Sequence, residues 1–275
     1  MYFGIEPQSA TYPRLRGWTG LAVFSLALAG IFALLLAVSR IPGVEKMALW
    51  PLDFFNKGLV IHVVFSFVVW FLSVFGAILS IATVRLGGSS GPLEKVLLVI
   101  AYLSTILLFV PSFMNRGEAT LNNYIPAITD PIYYSGLVTL GGSLGVMALR
   151  LLFNFFSSKL QWPELFCFGA IVAAFLYLLA LTVFIVAGVS LVGEEFSYEF
   201  NEALFWGGGH TLQYLNLSLL FVALGTLFSL GIGTSLSVYR RPIKAAYILL
   251  SATATTGLFI TFLFAPSHDL YWSLF

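Results

Sequence analysis

Hydrophobic positions along this chain come in seven long runs, roughly Trp18 to Val38, Leu59 to Val84, Lys95 to Phe113, Ile132 to Phe153, Leu165 to Leu191, Ala203 to Val238 and Ile243 to Phe264. Each is long enough for a helix to cross a hydrocarbon core of about 30 Å. A chain in lipid must satisfy its backbone polar groups internally, and helices do this. The pattern therefore predicts an all-α, polytopic transmembrane bundle of about seven helices forming one domain, with no soluble domain and no long linker. The sixth run is long enough to tilt or to end in a turn outside the membrane. Turn-forming residues punctuate the runs, as in Gly87-Gly88-Ser89-Ser90-Gly91-Pro92 and Arg241-Pro242. The apolar stretch from Leu21 to Ser39 exceeds the core of a usual signal peptide and lacks a clear small-residue cleavage site, so it reads as a retained first helix.

Composition agrees. Of 275 residues, 59% are hydrophobic and 9% charged, against about 25% charged in an average soluble domain. A water-soluble protein is excluded. The net charge of +1 supplies no basic face for a polyanion, so no nucleic-acid role is expected. Cys167 is the only cysteine and sits in an apolar stretch, which excludes an internal disulfide, a paired-cysteine metal site and an iron-sulfur framework.

Charge sorts the loops into two sides. Alternating along the chain, the N-terminus and the two-three, four-five and six-seven connections share Arg14, Arg16, Arg85, Lys95, Arg150, Lys159, Arg240, Arg241 and Lys244, nine of the thirteen basic residues. The opposite side carries Arg40, Lys46, Lys57 and Arg116 with most of the acids: Glu45, Asp53, Glu118, Asp130, Glu194, Glu195, Glu199, Glu202 and Asp269. The positive-inside rule then predicts a cytoplasmic N-terminus and a C-terminus outside.

Ionisable side chains within membrane spans are costly and point to function. His62 lies about one turn into the second predicted helix and His210 about two turns into the sixth; both helices enter from the predicted outer side, so the two imidazoles share a depth. Histidine ligates haem iron or copper through one ring nitrogen while a second group holds the other. Gly207, Gly208 and Gly209 remove side chains from the turn before His210, admitting a macrocycle or a neighbouring helix. Tyr214, four residues after His210, projects from the same helix face; a catalytic role for it competes with an interfacial anchor, as ligation by the histidines competes with simple interhelical hydrogen bonding. His268 falls beyond the last helix and reads as a loop histidine. Glu194, Glu195, Glu199 and Glu202 read as a solvated loop, with docking of a cationic partner such as a small cytochrome as the alternative.

The segment Leu204-Phe205-Trp206, two residues, Gly209-His210, three residues, Tyr214 resembles the helix-six motif of haem-copper oxidase subunit I. There the matching histidine is a copper ligand at the oxygen-reducing centre, and in some branches the matching tyrosine is cross-linked to it. His62 stands where the family keeps a ligand of its low-spin haem, followed by a similar aromatic tail in Phe67 to Leu72, and Asn122 to Pro131 also looks like a feature of subunit-I-like proteins. The resemblance covers the first seven helices of a family built with about twelve. Ile243 to Phe264 lacks the family's histidine pair, and the later helix that carries the remaining haem ligands is absent. The resemblance implies a chain of the inner (plasma) membrane, a low-spin haem, b-type in preference, with copper as a further candidate. It also implies an electron-transfer role with a cytochrome or quinol donor, and further membrane subunits that supply the missing histidine ligands. On this view His62 and His210 are the cofactor ligands and Tyr214 the catalytic phenol. The alternatives are a scaffold or assembly subunit without a cofactor and, ranked last, a transporter, since no inverted repeat and few intramembrane charges are visible.

Overall fold

A computed structural model of the protein describes residues 11–47, 54–89, 91–114, 116–157, 163–232, 240–264, 266 and 268–275. Seven helices in it are long and apolar enough to cross a membrane: α1 (Thr11–Ser39), α2 (Phe54–Arg85), α3 (Pro92–Phe113, its last turn tightened to 3-10 geometry), α4 (Pro131–Ser157), α5 (Leu165–Ser190), α6 (Tyr198–Ile232) and α7 (Arg240–Leu263). A short α8 (Asp269–Leu274) follows. The chain is a multi-pass membrane protein with an all-α bundle. Large apolar side chains such as Phe67, Val138, Phe153 and Leu227 face outward, the arrangement lipid requires of a surface with no water to satisfy polar groups.

Several helices begin before the apolar run does. Pro13 sits in the first turn of α1, where its missing N–H costs nothing. Helix α4 begins at Pro131 because Asp130 accepts a hydrogen bond from Ile132 N at 2.8 Å, capping the helix. Helix α2 starts at Phe54, ahead of the predicted Leu59, because the ammonium of buried Lys57 donates to the carbonyls of Met114 (2.7 Å) and Arg116 (3.2 Å). The predicted end of the sixth run, residues 233–238, lies outside the described residues, as do Lys159 and Asp53 of the charge sorting.

Helix α2 is the central element, packed on α1, α4 and α5. Gly76 makes this possible: a Cβ there would stand 2.6 Å from the indole of fully buried Trp18 on α1. Gly76→Ala is expected to cost about 1–3 kcal/mol, since Trp18 has nowhere to move in a packed interior; a thermal melt in detergent checks it, and an unchanged midpoint would show that α1 is not seated as described.

The connections gather at two ends of the bundle. At one, Arg85 pairs with Glu164 (2.5 Å), Arg240 and Lys244 donate to Pro163 O (2.9 and 3.3 Å), and Arg150 donates to Ser89 O. Buried Glu94, in the first turn of α3 where the helix dipole favours an anion, accepts from Ser80. At the other end, residues 116–130 form a strap over the bundle. Its short antiparallel ladder pairs β1 (Ala119–Thr120) with β2 (Ala127–Ile128), and Arg116 Nε closes it on buried Asp130 at 2.7 Å.

Candidate functional site

The strap carries Tyr124 onto α6, and three residues of that helix, Tyr198, Asn201 and Glu202, hold it there. Glu202, one turn into α6, takes Asn122 Nδ2 at 2.9 Å and Asn123 Nδ2 at 2.5 Å, with Asn123 N at 3.4 Å. Asn122 Nδ2 also donates to Tyr198 O at 3.0 Å. Buried Asn201 donates to Thr120 Oγ1 and accepts from the Tyr134 hydroxyl, each at 2.8 Å. Glu202 therefore departs from the solvated acid cluster expected of it, whereas Glu194, Glu195 and Glu199 are exposed.

So held, the Tyr124 hydroxyl lies 2.8 Å from His210 Nε2. His210 Nδ1 is 2.9 Å from Trp206 O. A carbonyl only accepts, so Nδ1 carries a proton, and in the neutral ring Nε2 accepts from the tyrosine. Both ring nitrogens are engaged. Around it pack Trp206 (ring centroids 4.9 Å apart) and Phe275 (5.5 Å), while Trp272 of α8 lies 5.1 Å from Trp206. Each preceding glycine admits one side chain of the same protein. A Cβ at Gly207 would stand 2.6 Å from the Tyr271 hydroxyl, one at Gly208 would collide with the Phe184 ring, and one at Gly209 with Tyr124. Gly207 N donates to that Tyr271 hydroxyl at 3.1 Å. Burial pushes the Tyr271 phenol up to about 12, with the Gly207 hydrogen bond acting weakly the other way. At Gly208 the expected neighbouring helix is present, α5 with its Phe184, whereas Tyr271 of α8 and Tyr124 of the strap fill the space at Gly207 and Gly209.

Tyr214 is half-buried against the core. No hydrogen bond or ring contact joins it to His210 among the described residues. Four-residue spacing sets a shared face but not a shared partner; the phenol that reaches the imidazole is Tyr124, from 86 residues away in sequence. No local signal in the chain marks that pairing.

His62, on α2, is arranged differently. Its Nδ1 lies 2.9 Å from Ala29 O on α1, so it too carries the proton. Its Nε2 lone pair has no hydrogen-bond partner among the described residues, and the side chain is half-buried. Directly after it α2 widens into a π-turn, Val64–Val69, with Ser66 Oγ donating to His62 O at 2.7 Å; such turns are frequent at functional sites. His62 and His210 thus sit on different partners, and among the described residues no three His, Cys, Asp or Glu converge on a metal position. His268 is exposed and caps α8, accepting from Leu270 N at 3.1 Å.

Tyr124 is the titratable group outside the spans whose environment bears on this pair. Burial first, and the Glu202 carboxylate second, raise its phenol above the ordinary value of about 10. A raised phenol favours the neutral form in the folded state. Its stabilising effect is full below about pH 10 and is lost as pH rises through the raised value. Glu202→Gln is expected to move the Tyr124 titration back toward lower pH, read as phenolate absorbance against a Tyr124→Phe reference; no movement would remove Glu202 as a cause.

No known protein family matches the chain, and no solved structure does. Two curated proteins do. It is 30% identical to an uncharacterized protein of Aquifex aeolicus, over 74% of this chain and 50% of the relative, and 28% identical to an uncharacterized protein of Rickettsia prowazekii, over 74% of this chain and 44% of the relative. The chain spans about half the length of the curated relatives it matches.

Proposed function

We propose that this chain is a membrane subunit that holds a low-spin haem through His62, jointly with a histidine from a partner chain, and passes electrons with that partner in a respiratory redox complex of the inner membrane. One observation carries this reading: His62 has its Nδ1 proton anchored on Ala29 O and its Nε2 lone pair uncommitted. That is the state of a metal-ligating imidazole, whose second nitrogen is oriented by a backbone acceptor. Haem would supply one-electron transfer. The protein's own part is to fix the tautomer and aim the ring. The sequence resemblance in α2 supports the assignment.

Copper at His210 does not fit the same test, because its Nε2 already accepts from Tyr124 and Tyr214 is placed elsewhere. We derive no step through that metal. This favours a second reading, a scaffold subunit without its own cofactor, in which the α6 motif serves packing alone.

The test is a reduced-minus-oxidised spectrum with haem and copper quantified per chain, on protein purified in mild detergent with the subunits that travel with it. A bis-histidine low-spin haem is expected. Its absence from the intact complex would overturn the haem reading in favour of the scaffold.

A further inference from the structure

Helices α1 and α3 lie side by side and run in the same direction, and two contacts fix their register. The Tyr102 hydroxyl of α3 donates to Gly17 O of α1 at 2.9 Å, and a Cβ at Gly17 would collide with Leu98. Residues three apart share a helix face. One turn nearer the end of the bundle, Arg14 and Lys95 therefore stand at one level, on the facing sides of the two helices. Among the described residues neither side chain meets a hydrogen-bond acceptor or an acid, although Arg14 is half-buried and its Nε enclosed. Glu94, next to Lys95, is buried and accepts from Ser80 of α2. A half-buried charge without a counter-charge is costly, and an anion from outside the chain lowers that cost.

Deeper in the membrane the two helices leave a shallow furrow. Gly17 and Gly20 give its floor no side chains, and Val99, Leu103 and Ile106 form an exposed apolar stripe on the Lys95 side of α3. From Lys95 to Ile106 the stripe is about 16 Å long at 1.5 Å per residue, about half of a hydrocarbon core of about 30 Å and so the depth of one leaflet. Two cations at the mouth of an apolar furrow one leaflet deep match the shape and charge of a phospholipid.

We infer that the α1/α3 furrow holds one anionic phospholipid, its phosphate on Arg14 and Lys95 and an acyl chain along Val99, Leu103 and Ile106. Arginine suits this role because its planar fork pairs with phosphate oxygens through parallel N–H bonds. The lipid is an anionic one because both charges at the mouth are positive and Arg16, two residues from Arg14, is exposed beside them; a zwitterionic headgroup would bring its own ammonium toward all three. The inference does not rest on the haem proposed above.

The experiment takes the full chain in mild detergent, adds dioleoylphosphatidylglycerol, dioleoylphosphatidylcholine or inorganic phosphate, and counts bound lipid by native mass spectrometry. One phosphatidylglycerol per chain is expected to be retained in preference to phosphatidylcholine. The double variant Arg14→Gln, Lys95→Gln is expected to hold it about thirtyfold more weakly, the fold-change of two charges at about 1 kcal/mol each. Arg241→Gln removes an exposed charge at the same end on α7, which packs on α5 and α6, and is expected to change nothing. Failure to retain phosphatidylglycerol, equal retention of phosphatidylcholine, or displacement by equimolar inorganic phosphate would overturn the inference. So would a loss as large in Arg241→Gln as in the double variant, since the attraction would then be diffuse. The comparison of the two lipids is made on the unaltered chain and decides the question even where the double variant does not fold.

Discussion

The His62→Ala variant is expected to lose its haem signal altogether, the reduced-minus-oxidised spectrum flattening while the amount of folded chain is kept. The methyl group that remains cannot coordinate, and within the protein the substitution removes one hydrogen bond, that to Ala29 O. That carbonyl lies inside α1, so removing the imidazole costs at most about 0.5–1.5 kcal/mol. His210→Ala is the informative contrast. Its Nε2 is already committed to Tyr124, so this variant is expected to keep the haem and to lose stability, with the half-buried Tyr124 hydroxyl left unpaired and a void among Trp206, Tyr124 and Phe275. Equal haem content in wild type and His62→Ala would end the assignment, and loss from His210→Ala alone would transfer it to α6.

Glu202→Ala is expected to release the strap, with a loss of about 2–4 kcal/mol, because hydrogen bonds to a charged group contribute about 1.5–3 kcal/mol each and do not add fully. The carboxylate takes both Asn122 and Asn123 side chains, and without it Asn122 keeps the Tyr198 carbonyl alone. Tyr124 would swing from His210 with the strap. A lower melting midpoint together with faster proteolysis in residues 116–130 checks the loss; a melt unchanged with the strap still protected would show that the ladder and the Arg116–Asp130 pair suffice.

The two predictions differ in what made them visible. His62 stands out in the sequence because a histidine inside an apolar run has few reasons to be there. Glu202 does not: the four acids ahead of the sixth apolar run look alike, and only the strap's return to α6 separates the one that binds from the three that are exposed. The same holds for the phenols. Spacing nominated Tyr214, which shares a helix with His210, whereas Tyr124 reaches the ring through a strap whose path depends on Lys57, Asn201 and Glu202 together.

The sequence by itself determined the seven spans and their alternation, since helix formation in lipid is a local requirement that each apolar run meets alone. It also marked the two histidines. Tertiary structure decided what each imidazole does, because a ring nitrogen's role is set by the group opposite it. For His62 that group is a carbonyl 33 residues away, leaving Nε2 open. For His210 it is a tyrosine 86 residues away, closing it. Pairings at such separation leave no mark in the periodicity of either segment, and only packing brings them together.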